Sequence, residues 1–348
     1  MSTGENPGAS TLTASGTAAG ATAGPTAAAT TAATAQATTS GPRRTPGLVP
    51  VTETMRTTER HEPEPRPAAP PEPAARPTWA FWRLLRSELG LTFRRPRNLA
   101  MLAVLAVVPV VVGVALRMFG SADDDMSGLV QDVAGNSVML TFVSFSFLVL
   151  LLMPVAVAVV AGDSIAGEAG GGTLRYLLAA PAGRTRLLAV KYLNAAVYAY
   201  AVTAVVALSA LVTGLVLFPA GDVTLLSGTT VPLADGLLRI AISVGYVGAG
   251  MAALAAVALT LSVFTEVPIG AIAGTMVLVI VCQVLRAIPE LSSIVPYLLP
   301  TRFTSFDAVL RSPIDVAALR DGLLTFGAYI VLFGSIAWAR FSGKDITS

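Results

Sequence analysis

Leu99-Ala100-Met101-Leu102-Ala103-Val104-Leu105-Ala106-Val107-Val108-Pro109-Val110-Val111-Val112-Gly113-Val114-Ala115-Leu116-Arg117-Met118-Phe119 holds 21 residues and a single charge. A helix of that length, rising about 1.5 Å per residue, crosses the roughly 30 Å hydrocarbon core of a bilayer. Further windows of the same kind follow at 138–161, 192–218, 237–264, 267–288 and 322–338. The chain as a whole agrees, with 54% apolar and 13% charged residues among 348.

The connections differ in character. Only Thr265-Glu266-Val267-Pro268 separates the fourth window from the fifth, which demands a tight helical hairpin. Ahead of the sixth, Pro289 to Arg320 is apolar but broken by Pro289, Pro296, Pro300 and Pro313, and reads as re-entrant or interfacial rather than spanning. Ahead of the first, Trp79, Phe81, Trp82, Leu84, Leu85, Leu89 and Phe93 alternate with Arg83, Arg86, Glu88, Arg94 and Arg95. That pattern predicts an interfacial helix over 79–95, with its apolar side in lipid and its basic side toward phosphates.

Residues 1–77 are rich in Ala, Thr, Gly, Ser and Pro and hold too little bulky apolar surface to offset the entropy of ordering. They predict a disordered cytoplasmic tail, without the basic and apolar regions of a signal peptide. The fold class is therefore an all-α membrane protein. Residues 78–348 are expected to form six transmembrane helices with an N-terminal amphipathic interfacial helix, a cytoplasmic coupling loop over 163–191, and a re-entrant or interfacial segment before the last helix.

Basic residues orient the chain. Arg83, Arg86, Arg94, Arg95 and Arg97 precede the first span, whereas Asp123, Asp124, Asp125 and Asp132 follow it. Arg175, Arg184, Arg186 and Lys191 lie between spans two and three, and Pro219 to Asp235 contains no Lys or Arg. By the positive-inside rule both termini are cytoplasmic, in a multi-pass protein of the cell (plasma) membrane. Arg286, Arg302, Arg311 and Arg320 run against the rule, with Glu290, Asp307, Asp315 and Asp321 interleaved.

Several functions are excluded by composition. The chain has one cysteine, Cys282, and one histidine, His61, so neither a disulfide framework, a Cys/His zinc site nor histidine-based catalysis is available. A net charge of +2 does not suggest nucleic acid. No catalytic, cofactor-binding or metal-binding residue is expected. Gly167 to Thr173 lacks the lysine of a phosphate-binding loop, and no Walker motif occurs elsewhere, so any ATP is hydrolysed by another chain.

The connection after the second span runs Gly162-Asp163-Ser164-Ile165-Ala166-Gly167-Glu168-Ala169-Gly170-Gly171-Gly172-Thr173-Leu174-Arg175-Tyr176-Leu177-Leu178-Ala179-Ala180-Pro181. Leu174, Leu177, Leu178 and then Leu187 and Leu188 at helical offsets predict two short amphipathic pieces hinged at Pro181-Ala182-Gly183, whose exposed apolar stripe on the cytoplasmic face would want a partner. Glu168, Gly172-Thr173-Leu174, Leu177-Leu178, Pro181, Arg184, Leu187-Leu188 and Lys191 together resemble the cytoplasmic loop of the ABC-2 permease family. The resemblance covers about residues 79–348, including the entry helix, the layout of spans and the ending Phe341-Ser342-Gly343-Lys344-Asp345-Ile346.

That resemblance implies a membrane-spanning permease subunit of an ATP-binding cassette exporter. It implies partnership with separate ATPase subunits that carry ATP-Mg, a second permease copy or paralogue, and membrane lipids. It also implies that Asp163, Glu168, Gly172, Thr173, Leu174, Leu177, Leu178, Pro181, Arg184 and Lys191 couple the spans to the ATPase. On the plainer reading these charges set topology and the glycines permit a turn.

Ser144, Ser146, Asn194, Tyr198 and Gln283 are polar at membrane depth and are candidates for a translocation path or for inter-helix hydrogen bonds. Arg286 is placed to snorkel to the interface. Gly270 and Gly274 form a GxxxG pair, read as packing within the chain. The alternative function is an ion- or proton-coupled secondary transporter, which calls for intramembrane carboxylates that spans one, two, three, five and six lack.

Overall fold

Proline placement sets the first turn of the architecture. Helix α1 (Pro77–Arg94) ends one residue before α2 (Pro96–Phe119), because a residue preceding proline is disfavoured in the helical region and Pro96 opens the next helix without needing its missing N–H. The computed structural model describes residues 77–119, 136–172, 183–219, 223–224 and 229–343, all within the unit Pro70–Ser348. The expected disordered tail lies outside the described residues but for Pro77.

The remaining elements, in order, are α3 (Met139–Leu148), α4 (Leu152–Gly170), α5 (Arg184–Leu217), the two-residue strands β1 (Val223–Thr224) and β2 (Thr230–Val231), α6 (Leu233–Phe264), α7 (Pro268–Arg286), a short α8 (Leu299–Phe303) and α9 (Val316–Ser342). The strands pair antiparallel, Val223 opposite Val231 and Thr224 opposite Thr230. Among the described residues, six helices are long and apolar enough to cross a membrane: α2, α4, α5, α6, α7 and α9.

The second crossing differs from the single helix expected over 138–161. It is built from α3 and α4, separated at Val149–Leu151. Pro154 explains the break: it has no N–H to give the carbonyl of Leu150, and its ring collides with that carbonyl in a continuous helix. The helix restarts at Leu152, so that Pro154 falls in a first turn where no donor is required. Pro109 sits inside α2 without ending it, and the Ser209 hydroxyl of α5 donates to the nearby carbonyl of Ala106.

Helix ends also lie beyond the apolar windows. The third crossing begins at Arg184 rather than 192 and runs 34 residues, about 51 Å at 1.5 Å per residue. Hydropathy registers only the part facing hydrocarbon, whereas Arg and Lys continue a helix readily. The expected coupling loop is shortened from both sides for this reason: 163–170 belongs to α4 and 184–191 to α5.

Helix α6 is the hub, packed between α4, α5, α7 and α9, with Val247, Met251, Leu254 and Val257 in the main core. Gly322 of α9 packs there so closely on Tyr246 that a Cβ would collide with the phenol ring. The GxxxG pair makes no comparable approach: a Cβ at Gly270 or Gly274 would meet ordinary contacts at 3.6 Å to Thr265 and 3.4 Å to Leu261.

The proline-broken segment between α7 and α9 folds as short turns and α8, then a 3-10 stretch at Thr304–Leu310. Phe303, Phe306, Val309 and Leu310 are buried in the main core, with Phe306 stacked on Phe142 and edge-on to Phe145. The segment thus caps one end of the bundle with its own apolar side chains. Arg239 of α6 holds it, donating to the Asp235 carboxylate at 2.7 Å and to the main-chain oxygens of Val309 and Arg311.

Candidate functional site

At the opposite end, α1, α2, α4 and α5 converge on a group of charges. Lys191, only 5% exposed, lies between Glu88 of α1 at 2.9 Å and Glu168 of α4. Two carboxylates face this ammonium where water does not reach it, and the three groups fasten the entry helix to both helices that flank the shortened loop.

A second group borders the first. Arg95 and Arg97 both reach Asp163 Oδ2, at 3.0 and 2.7 Å. Gly167 makes room for this carboxylate: a Cβ there would fall 2.5 Å from Asp163 Oδ1. Ser164 donates to the Ala161 carbonyl at 2.6 Å, and the main-chain N–H groups of Ile165 and Ala166 give to the Ser262 hydroxyl of α6 at 3.1 and 2.8 Å. The last two turns of α4 are therefore tied to the hub.

A neutral network backs the charges. Asn194 donates to the Thr92 hydroxyl at 2.8 Å, Asn98 donates to the Thr92 carbonyl at 2.9 Å, and the Tyr198 hydroxyl donates to the Asn98 carbonyl at 3.2 Å. The Phe93 and Tyr198 rings pack at 5.8 Å. Between the networks lies a cavity of about 320 Å³ bordered by both. Asn98 and Asn194 border it as well, and their buried side-chain oxygens have no hydrogen-bond partner among the described residues.

Of the expected coupling residues, Asp163, Glu168 and Lys191 meet here. Gly172 follows α4 with a φ of 68°, and Gly183 precedes α5 with a φ of 75°, both in the left-handed region that favours glycine. Arg184 lies beside the end of α9, donating to the Ser342 carbonyl at 2.8 Å. Thr173, Leu174, Leu177, Leu178 and Pro181 lie outside the described residues.

The five polar candidates at membrane depth part company. Asn194 and Tyr198 bind the α1–α2 junction, Ser144 is buried on α3, Ser146 donates to the Phe142 carbonyl of its own helix at 3.0 Å, and Gln283 sits on α7. Sequence reasoning missed Glu88, Thr92, Arg95, Arg97 and Asn98 as site residues, since the groups they meet on α4 and α5 lie tens of positions away. The one available signal was Glu88, an acid amid the arginines of the entry helix.

Charges elsewhere at this end share the pattern. Arg340 near the end of α9 lies 5.8 Å over the Phe264 ring at the end of α6, and Trp338 donates to the Thr185 hydroxyl at 3.1 Å. The basic residues before α2, at the start of α5 and at the end of α9 thus share one end of the bundle.

Residues 106–347 match the family described as "protein of unknown function (DUF2705)". The chain is also similar to two curated relatives, each named "Probable ABC transporter permease protein NosY". The one from Pseudomonas aeruginosa is 34% identical over 113 residues, 32% of this chain and 38% of the relative. The one from Stutzerimonas stutzeri is 32% identical over 113 residues, 32% of this chain and 37% of the relative. The matched stretch spans well under half of either relative's length.

Proposed function

We propose that this chain, which belongs to the family described as "protein of unknown function (DUF2705)", is the permease subunit of an ATP-binding cassette transporter of the ABC-2 type. The similarity to the two relatives named as ABC transporter permeases supports this reading, as does the set of six apolar helices. In it, separate nucleotide-binding subunits hydrolyse ATP-Mg and dock on the connection between α4 and α5. The basic end of the bundle faces the cytoplasm, both termini are cytoplasmic, the transporter sits in the cell membrane, and transport is export.

The observation that carries the reading is the Glu88–Lys191–Glu168 triad. A docked ATPase can move the spans only through segments that do not give way, and coupling requires that its nucleotide states act on the permease with different free energies. The triad locks α1, α4 and α5 together at the mouth of that connection, so that force on the connection passes into helices rather than into slack chain. Arg184, half-buried at the start of α5, offers its charge to the partner.

The test is to look for a Walker-motif ATPase in the genes neighbouring this chain's own and to co-express the two, followed by co-purification and ATPase assay. Arg184→Glu weakens assembly while leaving the isolated chain's unfolding temperature unchanged. The combined change Glu88→Gln, Glu168→Gln and Lys191→Met, which removes the triad without stranding a charge, leaves docking in place and uncouples ATP hydrolysis from transport. Assembly and ATPase activity indifferent to both changes, or transport driven by an ion gradient without ATP, would overturn the proposal.

A further inference from the structure

Arg97 borders two spaces at once. One is the polar cavity described above, and the other is a groove of about 500 Å³ between α2 and α4, walled by Met101, Val104, Leu105, Leu152 and Val155, in which Arg97 is the one polar side chain among the described residues. We propose that these spaces together bind one anionic phospholipid, its phosphodiester on Arg95 and Arg97 and one acyl chain in the groove. The proposal stands apart from the ATPase partnership and needs only that this end of α2 face a lipid leaflet.

Charge is segregated across the site in the way such a headgroup requires. The two carboxylates on the buried Lys191 ammonium lie deeper, the Glu88 and Glu168 side chains being 14% and 22% exposed. The positive surplus, two guanidiniums sharing the single Asp163 carboxylate, lies at the rim, where the Arg95 and Arg97 side chains are 57% and 48% exposed. Each guanidinium carries five N–H donors in a fixed fork and spends one of them on Asp163, which leaves donors for an oxyanion with two free oxygens.

Dimensions agree with the occupant. From Arg97 to Leu105 is eight residues of α2, about 12 Å of helix, against about 15 Å for half of a 30 Å hydrocarbon core. Below Arg97 the groove is apolar throughout and opens sideways, with Val104 56% exposed at its edge. A helix from a second copy would fill the hydrocarbon part yet would also have to deliver an anion to two adjacent guanidiniums. A phospholipid does both with one molecule.

Native mass spectrometry of the full chain, delipidated in mild detergent and then supplied with phosphatidylglycerol or phosphatidylcholine of matched chains, tests this. One phosphatidylglycerol is retained, and phosphatidylcholine is retained about tenfold less, because the zwitterion carries its own cation. The double change Arg95→Gln and Arg97→Gln lowers phosphatidylglycerol retention about tenfold, and the double Lys replacement restores much of it. Val104→Trp, at an exposed position clear of the ion pairs, blocks the groove and lowers retention with the arginines intact. Retention unaffected by Val104→Trp, or equal retention of the two lipids, would overturn the proposal. A dimer split by Val104→Trp with lipid binding unchanged would assign the groove to a second copy instead.

Discussion

Lys191 of α5 donates to the Glu88 carboxylate of α1 at 2.9 Å, joining positions 103 apart in sequence. Glu168 closes the triad from α4, so three separate segments depend on one ammonium for their balance of charge. Replacing Lys191 by Met leaves two carboxylates facing each other away from water and costs about 3–5 kcal/mol. The triple change Glu88→Gln, Glu168→Gln and Lys191→Met removes the charges together and recovers most of that loss. Thermal unfolding of the purified chains reads both, and a triple variant as unstable as the single one would contradict the argument.

At the other end, Arg239→Met strands the Asp235 carboxylate and the carbonyls of Val309 and Arg311. With charge-assisted bonds contributing about 1.5–3 kcal/mol each and partial rescue by water, a net loss of about 3 kcal/mol is expected. Hydrogen exchange should accelerate over 304–311 before it does in α6, and uniform acceleration across both would speak against local release.

Phe306→Ala removes the ring that packs on Phe142 and Phe145 and opens a cavity under the capping segment, at a cost of about 3–5 kcal/mol. Leucine at the same position retains part of the volume and costs less. Equal losses for Ala and Leu, measured by denaturant unfolding, would show that stacking rather than filling is what matters.

Two glycines of α9 give opposite signs for one substitution. Gly322→Ala drives a methyl into the Tyr246 ring and destabilises by about 1–3 kcal/mol, whereas Gly327, with nothing within 4 Å of its would-be Cβ, gains up to about 1 kcal/mol of helix stability from alanine. Paired melting curves check the difference in sign.

Periodicity and hydropathy made the spans legible because each spanning helix must be apolar over its own length, a local property. The entry helix was legible for the same reason, through the alternation of Trp79, Phe81 and Trp82 with Arg83 and Arg86. The ends of α4 and α5 were not, since a helix continues into water through residues such as Arg184 and Lys191 that hydropathy counts as loop. Pro154 was visible in the sequence, yet its effect depends on whether a helix is already running when the chain reaches it.

The site was legible only by residue type. Asp163, Glu168 and Lys191 stood out as charges beside apolar windows, but their partners Arg95, Arg97 and Glu88 lie 66 to 103 positions away, and nothing local reports such pairings. Arg239 was hidden differently: it opens an apolar window as any snorkelling arginine would, and its acceptors are main-chain oxygens that carry no sequence signature.

The interruption at Val149–Leu151 bears on how the bundle transmits motion. Bending a continuous helix there would break main-chain hydrogen bonds within an apolar surround, but Pro154 has already removed one of them in the resting fold. The angle between α3 and α4 is thus a soft coordinate, and the two ends of the second crossing answer to different masters. The α3 half is clamped by the phenylalanines of the capping segment, and the α4 half by Ser262 and the charged triad. Such a jointed strut lets one end of the bundle shift while the other keeps its packing, with Val149–Leu151 as the joint.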